Sequence, residues 1–98
     1  MSGTAQRLRL LRRQGGRCAY CFNKMTMRLG CNNTVTRDHV RPLSQGGPTN
    51  KFNIVACDYS CNMKKGARSL YEFLFEITDG NPDSHPMSKH PEYKKCNS

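Results

Sequence analysis

Two cysteines separated by two residues, Cys18 and Cys21, constrain the fold of this chain more than any other feature. The chain has only 98 residues, and a chain of this size usually needs a staple such as a bound metal or a disulfide. The pair follows Gly15-Gly16-Arg17, so it can form a tight knuckle whose two sulfur atoms face one ion. A thioredoxin-like redox pair needs a strand before it and a long helix after it, and neither is visible. The spacing therefore favours a zinc knuckle.

Basic residues are concentrated in the first part of the chain. Thirteen of the sixteen Lys and Arg residues lie within residues 1–68, where Asp38 and Asp58 are the only acids. Residues 69–98 contain five acids and three lysines. A basic body with a net charge of +9 is typical of a protein that binds a polyanion, and nucleic acid is the commonest polyanion. The alternative is a solvated basic surface without a partner.

The sequence also predicts the cellular compartment of the protein. No apolar run approaches the roughly 20 residues of a membrane span, and no secretory signal pattern follows the basic N-terminal residues. We therefore expect a cytoplasmic protein that contacts no membrane. In a reducing cytosol, closely spaced cysteines are more often metal ligands than disulfides.

The hydrophobic pattern predicts one helix and two strands in the first half of the chain. Residues 4–14 are expected to form a helix that Thr4 caps and Gly15-Gly16 ends. Residues 34–41 contain alternating β-branched residues and are expected to form a strand. Residues 52–56 form a short apolar run that predicts a second strand or an extended segment.

The second half of the chain predicts helices and then a tail. A helix is expected to start near residues 58–62, and Gly66 can divide it from a second helix. The second helix shows the strongest helical period of the chain, at Leu70, Phe73, Leu74 and Ile77. Residues 79–98 lack periodicity and are expected to be a polar, loosely held tail. The chain is therefore predicted to be a single α+β domain over residues 1–78.

Residues 36–66 carry the groups from which chemistry is expected. In chain order these groups are Asp38-His39, Asn53, Cys61-Asn62 and Lys65-Gly66. This order resembles the signature of the HNH endonuclease family, and the resemblance covers residues 17–68. It implies the small ββα-metal (His-Me finger) fold, here with an N-terminal helix and a zinc knuckle. Small stand-alone proteins of this family are common in phages, so the resemblance also implies a phage-like origin.

The resemblance implies a role for each of four side chains. Asp38 would bind the catalytic ion, and His39 would be the general base. Asn53 would brace the loop that carries His39, through hydrogen bonds from its side chain to the backbone. Asn62 would be the second metal ligand, and a carboxylate with an amide oxygen suits Mg²⁺ or Mn²⁺. Taken singly, each residue also has an ordinary structural interpretation as a turn former, a strand residue or a helix cap.

The adjacency of Asp38 and His39 imposes a condition on the backbone. Neighbouring residues of a regular strand point to opposite faces, so both side chains can serve one site only if the chain turns there. Pro42 and the glycine-containing loop after it predict such a turn.

The same resemblance implies that Cys18, Cys21, Cys57 and Cys61 bind a structural zinc ion. The family commonly has Cys-x-x-Cys in its second half, whereas the spacing here is Cys57-x-x-x-Cys61. Asp58 stands where the third cysteine is expected, so either Cys57 or Asp58 is the third ligand. Because a thiolate matches a structural zinc better than a carboxylate, Cys57 is favoured.

Five basic side chains close to this stretch are predicted to bind nucleic acid: Arg37, Arg41, Lys64, Lys65 and Arg68. Arg37 and Arg41 flank Asp38-His39. The other three residues follow Asn62 at helical spacing. A solvated helix face is the alternative interpretation of the last three.

The sequence therefore predicts a metal-dependent DNA endonuclease with a divalent cation for catalysis and zinc for structure. A protein partner could supply its targeting, and the oligomeric state is left open. The alternative is a zinc-knuckle module that binds nucleic acid without cutting it. That alternative accounts for the charge and the cysteines, but it does not account for the joint presence of Asp38, His39, Asn53 and Asn62.

Overall fold

The computed structural model describes residues 3–94 and shows a two-stranded sheet with three helices. The elements in chain order are α1 (Gly3–Arg13), β1 (Val35–His39), β2 (Ile54–Asp58), α2 (Tyr59–Lys65) and α3 (Leu70–Ile77). This arrangement confirms the predicted α+β class and the strand, strand, helix order of a ββα-metal fold. None of the helices within residues 3–94 has the length and hydrophobicity that crossing a membrane requires.

The two strands form an antiparallel hairpin that packs against two helices. Val35 pairs with Asp58 at one end, and His39 pairs with Ile54 at the other. Helix α1 contacts both strands, and Arg37 Nη1 donates to Gln6 Oε1 of this helix at 2.7 Å. Helix α2 also contacts both strands. The hairpin is therefore held by the helix that precedes it and by the helix that follows it.

Local sequence determines where the helices begin and end. Asp58 caps α2, because its carboxylate Oδ1 accepts a hydrogen bond from the backbone N–H of Cys61 at 2.8 Å. Gly66 ends α2 with a positive φ of 54°, which confirms the predicted break between two helices. Ser69 and Glu72 then form a capping box that starts α3. Thr4 lies inside α1, which begins at Gly3, so the prediction that Thr4 caps this helix is wrong.

The core lies between the hairpin, the knuckle and α3. Three of the four periodic residues of α3 are buried, whereas Ile77 is 37% exposed. Tyr20 from the knuckle packs edge-on against Phe73, with ring centroids 5.0 Å apart. The buried apolar set includes Leu10, Val35, Val40, Ile54, Ala56, Leu70, Phe73 and Leu74. The knuckle is therefore part of the core.

The segment after α3 corrects the prediction of a loosely held tail. Within residues 79–94 it forms two short 3-10 turns, Pro82–Ser84 and Pro86–Lys89. His85 is buried, and its Nε2 lies 2.7 Å from the carbonyl oxygen of Tyr20. This packing could not be predicted from the polar sequence, because a single buried side chain produces no hydrophobic periodicity. Residues 95–98 of the predicted tail, which include Cys96, lie outside the described residues.

Candidate functional site

Four side chains converge where the knuckle meets the start of α2. The sulfur atoms of Cys18, Cys21 and Cys61 and a carboxylate oxygen of Asp58 all lie within 4.8 Å of one another. Cys18 and Cys21 come from a turn closed by the hydrogen bond from the N–H of Phe22 to the Cys18 carbonyl, at 3.1 Å. Three sulfur atoms and one carboxylate oxygen can together fill a tetrahedral shell, which is the arrangement of a closed metal site.

The structure places Asp58 in this group, and Cys57 lies outside it. The two residues are adjacent in β2, so their side chains point to opposite sides of the strand. Cys57 Sγ lies 3.5 Å from the hydroxyl of Thr36, whereas Asp58 Oδ2 accepts a hydrogen bond from Cys21 Sγ at 3.0 Å. The preference for Cys57, which rested on the chemistry of thiolates, does not agree with this geometry.

The thiols of the cluster hold their protons unequally. A hydrogen bond with the Cys61 thiol lowers the pKa of Cys18 to about 5, despite burial. The same bond, together with burial, raises the pKa of Cys61. Burial and the hydrogen bond to Asp58 raise the pKa of Cys21 to about 11. Metal binding at this site must therefore displace protons, so its affinity is expected to increase with pH.

A separate cleft of about 270 Å³ opens at the end of the hairpin. It is lined by Asp38 and His39 from β1, by Asn62 from α2 and by the turn around Pro42 and Gly66. Three of the four predicted catalytic residues are therefore brought together in one cleft. Asp38 and His39 both reach it because β1 ends at His39 and the chain turns immediately afterwards.

The imidazole of His39 is half-buried and anchored on one side. Its Nε2 lies 3.0 Å from the hydroxyl oxygen of Thr49, which comes from the loop before β2. Thr49 is the only hydrogen-bond partner of this ring within residues 3–94, so Nδ1 has no protein partner among them. An imidazole that is oriented through one nitrogen and open at the other has the arrangement of a general base.

Asp38 is buried, with only 4% exposure, and two donors hold its carboxylate. The Tyr20 hydroxyl donates to Oδ2, and the ammonium of Lys65 lies 3.4 Å from Oδ1. Burial raises the pKa of Asp38, while the charge of Lys65 and the hydrogen bonds from Tyr20 and Lys65 lower it. These donors therefore offset part of the cost of keeping a buried carboxylate ionised.

Lys65 was predicted to bind nucleic acid, and the structure shows that this prediction is wrong. Its side chain is fully buried, and Nζ donates to the carbonyl oxygens of His39 at 3.1 Å and Val40 at 3.0 Å. With the contact to Asp38, these bonds use all three protons of the ammonium group. Lys65 therefore holds the end of β1 in place from behind the cleft.

Asn53 holds the turn that follows β1. Its Oδ1 accepts from the N–H of Arg41 at 2.8 Å, and its Nδ2 donates to the carbonyls of Arg41 at 3.1 Å and Pro48 at 2.8 Å. The side chain is 2% exposed, so these bonds replace water for three buried backbone groups. Asn53 thus ties both ends of the loop that separates His39 from β2, as expected for a bracing residue.

A model of the HNH endonuclease family matches residues 18–68, which are 51 of the 98 residues. This chain belongs to the HNH endonuclease family. The matched segment begins at Cys18 and ends just after α2, so it contains both the cysteine cluster and the cleft. A search of curated proteins found no match to the chain. Membership of a nuclease family implies a nucleic acid substrate.

The cleft of this HNH-family protein suits a hard divalent ion. Asp38 offers a carboxylate, and Asn62 offers an amide oxygen that lines the same cleft. Asn62 Nδ2 donates to Thr36 Oγ1 at 2.9 Å and to the Arg37 carbonyl at 3.3 Å, which fixes the orientation of the amide. Two oxygen ligands from the protein would leave further coordination positions for water and phosphate, as Mg²⁺ requires.

The remaining basic residues of the HNH domain differ in their exposure. Arg37 and Lys64 are exposed, and Arg37 lines the cleft. Arg41 lies 3.8 Å from Glu92, so a carboxylate partly offsets its charge. Arg68 forms an ion pair with Glu76, and it donates to the carbonyls at the end of α2. Arg37 and Lys64 are therefore the best placed of the predicted set to meet a phosphate.

Sequence reasoning missed two residues that position the groups of this HNH site. Tyr20 occupies a variable position inside Cys-x-x-Cys, and Thr49 follows Pro48 in a polar loop. Neither carries a motif, and their roles follow from tertiary contacts only. By contrast, the position of Asp58 at the head of a predicted helix is a recognisable N-cap signal, which could have favoured it over Cys57.

Proposed function

We propose that this protein is a metal-dependent DNA endonuclease in which His39 is the general base and Asp38 with Asn62 holds one Mg²⁺ or Mn²⁺ ion. The observation that carries this proposal is the convergence of these three side chains in one cleft within a chain of the HNH family. When bound, the ion would supply positive charge that stabilises the negative charge developing on the phosphate oxygens and on the leaving oxygen. The zinc site would be structural, because its four ligands leave no open position.

The protein's own residues then divide the remaining work. Thr49 fixes the His39 ring, so that Nδ1 can take a proton from a water molecule aimed at the phosphate. Lys65 fixes the backbone at His39 and Val40, and Asn53 fixes it at Arg41, which keeps the base in place while the DNA binds. Arg37 and Lys64 supply exposed positive charge for the phosphate backbone.

Cleavage of supercoiled plasmid tests the proposal. Zinc-loaded protein should relax or linearise the plasmid when Mg²⁺ or Mn²⁺ is added and should not do so without added divalent ion. His39→Ala should abolish cleavage and retain DNA binding in a gel shift. His90→Ala is the matched control, because this ring contacts the carbonyl of Phe52 and lies outside the residues that line the cleft.

Two outcomes would contradict the proposal. Cleavage by His39→Ala at the wild-type rate would remove His39 as the base. Salt-sensitive DNA binding by the wild-type protein, without cleavage in either metal, would favour the zinc-knuckle binding module.

A further inference from the structure

A second groove, larger than the cleft, lies beside it. The groove has a volume of about 700 Å³ and is formed by α1, β1, residues 29–34 and the first residue of α2. Arg37 lines both the groove and the cleft that contains Asp38 and His39. The cleft and the groove therefore adjoin at the Arg37 side chain, so a polymer chain that leaves the cleft past Arg37 would enter the groove.

The charge of the groove suits a phosphate backbone. Arg7 and Arg37 line it, and none of its lining residues is acidic. Both guanidinium groups are already oriented by the protein, since Arg7 Nη1 lies 3.4 Å from the Val35 carbonyl and Arg37 Nη1 lies 2.7 Å from Gln6 Oε1. Pre-oriented arginines lose little side-chain entropy when a phosphate binds.

An aromatic ring and an aliphatic side chain give the groove an apolar surface as well. Tyr59 is 48% exposed and Leu29 is 71% exposed, although both line the same groove. Exposed aromatic rings beside arginines are the usual platform on which proteins stack the bases of single-stranded nucleic acid. A base inside a duplex has both faces covered by its neighbours, so only an unpaired base can use such a platform.

We propose that this groove binds an unpaired stretch of the DNA strand that runs on from the cleavage site, with one base stacked on Tyr59 and the backbone held by Arg7 and Arg37. The proposal rests on the proposed nuclease function for the position of the cleavage site. The groove's volume lies within the range of pockets that enclose ligands of nucleotide size. Arg7 precedes the matched residues 18–68, so this subsite includes the N-terminal helix as well as the family domain.

The consequence is a preference for DNA that is forked or single-stranded next to the cut. The test uses the His39→Ala protein, so that binding can be measured without cleavage. Dissociation constants are measured at one salt concentration for a full duplex and for a fork built from strands of the same length, in which only the flank is unpaired. The ratio of the two constants is the readout, because a contact that merely attracts phosphates changes both constants alike.

We expect the fork to bind more tightly than the duplex. Tyr59→Leu should weaken binding to the fork by about 5- to 160-fold, the range implied by the loss of one stacked base, and should leave the duplex constant unchanged. Tyr59→Phe should retain the preference, because the ring remains. Arg7→Ala should reduce the slope of the log binding constant against log salt concentration by about 1 for the fork. Arg12→Ala changes a residue of α1 outside the groove and should leave the ratio of the two dissociation constants unchanged.

A fluorescent base analogue locates the stacked nucleotide. 2-Aminopurine placed at successive positions of the flank should be quenched at one position by the protein and by Tyr59→Phe, but not by Tyr59→Leu. Equal affinities for fork and duplex, or a ratio that Tyr59→Leu leaves intact, would overturn the proposal. Plasmid cleavage by the wild-type protein is scored separately. A preference for the fork without any cleavage would refute the proposed nuclease function and would still support binding of unpaired DNA in the groove.

Discussion

The hydroxyl group of Tyr20 donates a hydrogen bond to the carboxylate of Asp38, and this contact joins the cysteine cluster to the cleft. Tyr20 lies between the two knuckle cysteines in sequence, while Asp38 lines the cleft. The tyrosine is 1% exposed, and its ring is fixed against Phe73. A metal ion that orders the knuckle would therefore also order a group that contacts the candidate catalytic carboxylate.

Tyr20→Phe should weaken the binding of the catalytic ion and leave the zinc site intact. The ring and its packing remain, but Asp38 loses a donor that lowers its pKa against the effect of burial. The pKa of Asp38 should rise further, so a higher pH is needed to ionise the ligand. We expect Mn²⁺ affinity at neutral pH to fall about tenfold or more, given about 1.5–3 kcal/mol for a hydrogen bond to a charged group.

Electron paramagnetic resonance of Mn²⁺, recorded across a pH series, measures this effect. Tyr93→Phe is the matched control, since its hydroxyl donates to Asp83 in the C-terminal segment. The link between the two sites would be refuted by a Mn²⁺ titration of Tyr20→Phe that overlays that of the wild type at every pH.

Lys65→Met should destabilise the fold strongly, whereas Lys64→Met should not. Removing Lys65 leaves a buried carboxylate without its counter-charge and two backbone carbonyls without a donor. Breaking a buried pair in this way costs about 3–5 kcal/mol of unfolding free energy. Lys64 is exposed, so its replacement should change the stability by about 0.5 kcal/mol or less. Urea unfolding of the zinc-loaded proteins measures both values.

The pH dependence of Lys65→Met follows from the raised pKa of Asp38. A carboxyl group whose pKa is raised by folding stabilises the fold below its unfolded pKa, and that contribution is lost as the pH rises through the folded pKa. Without Lys65 the folded pKa rises further, so the deficit relative to wild type should shrink as the pH is lowered from 7. Adding Asp38→Asn to Lys65→Met should recover part of the lost unfolding free energy at pH 7. If neither lowering the pH nor adding Asp38→Asn reduced the loss caused by Lys65→Met, the role of the ion pair would be contradicted.

Asp58→Asn should lose zinc, whereas Cys57→Ala should keep it. Asparagine is also a good N-cap, so this change removes a charged oxygen ligand while the cap of α2 is preserved. Cys57 lies outside the ligand group, and its removal should cost only the packing of one buried sulfur. Metal analysis after gel filtration should give about one zinc per chain for Cys57→Ala and clearly less for Asp58→Asn. The reverse result would restore Cys57 as the ligand.

Asn53→Ala should reduce cleavage with little effect on DNA binding. The change leaves the Arg41 N–H and the carbonyls of Arg41 and Pro48 without their partner, at about 1–3 kcal/mol for each buried group that stays unsatisfied. The loop after His39 should then lose its fixed position. Steady-state cleavage should show a lower kcat, with a gel shift close to that of the wild type. Asn50→Ala, which removes a single exposed bond to the Phe52 N–H, serves as the control and should cleave normally.

Much of the fold followed from sequence because its signals are local. The period of Leu70, Phe73 and Leu74 marks α3, and Gly66 marks the end of α2. The ordered set from Asp38 to Asn62 indicated the family, and the family match agrees. These signals depend on spacing along the chain, which the sequence contains directly.

The misjudged residues depend on neighbours that are distant in sequence. Lys65 follows another lysine in a basic helix, and nothing local distinguishes the buried side chain from the exposed one. Asp58 and Cys57 differ in which side of β2 they occupy, and that is decided by the pairing of β2 with β1. His85 is surrounded by polar and proline residues, yet it lies against the carbonyl of Tyr20. Tertiary packing overrode the local expectation in each case.

The contact between His85 and Tyr20 spans 65 positions of the sequence, so it closes a long loop of the chain. The hairpin and α2 lie between these two residues in sequence. Closing a long loop costs chain entropy, and that cost is smaller once the intervening segments have folded. We therefore expect the hairpin and α2 to form early in refolding and His85 to dock on the knuckle late.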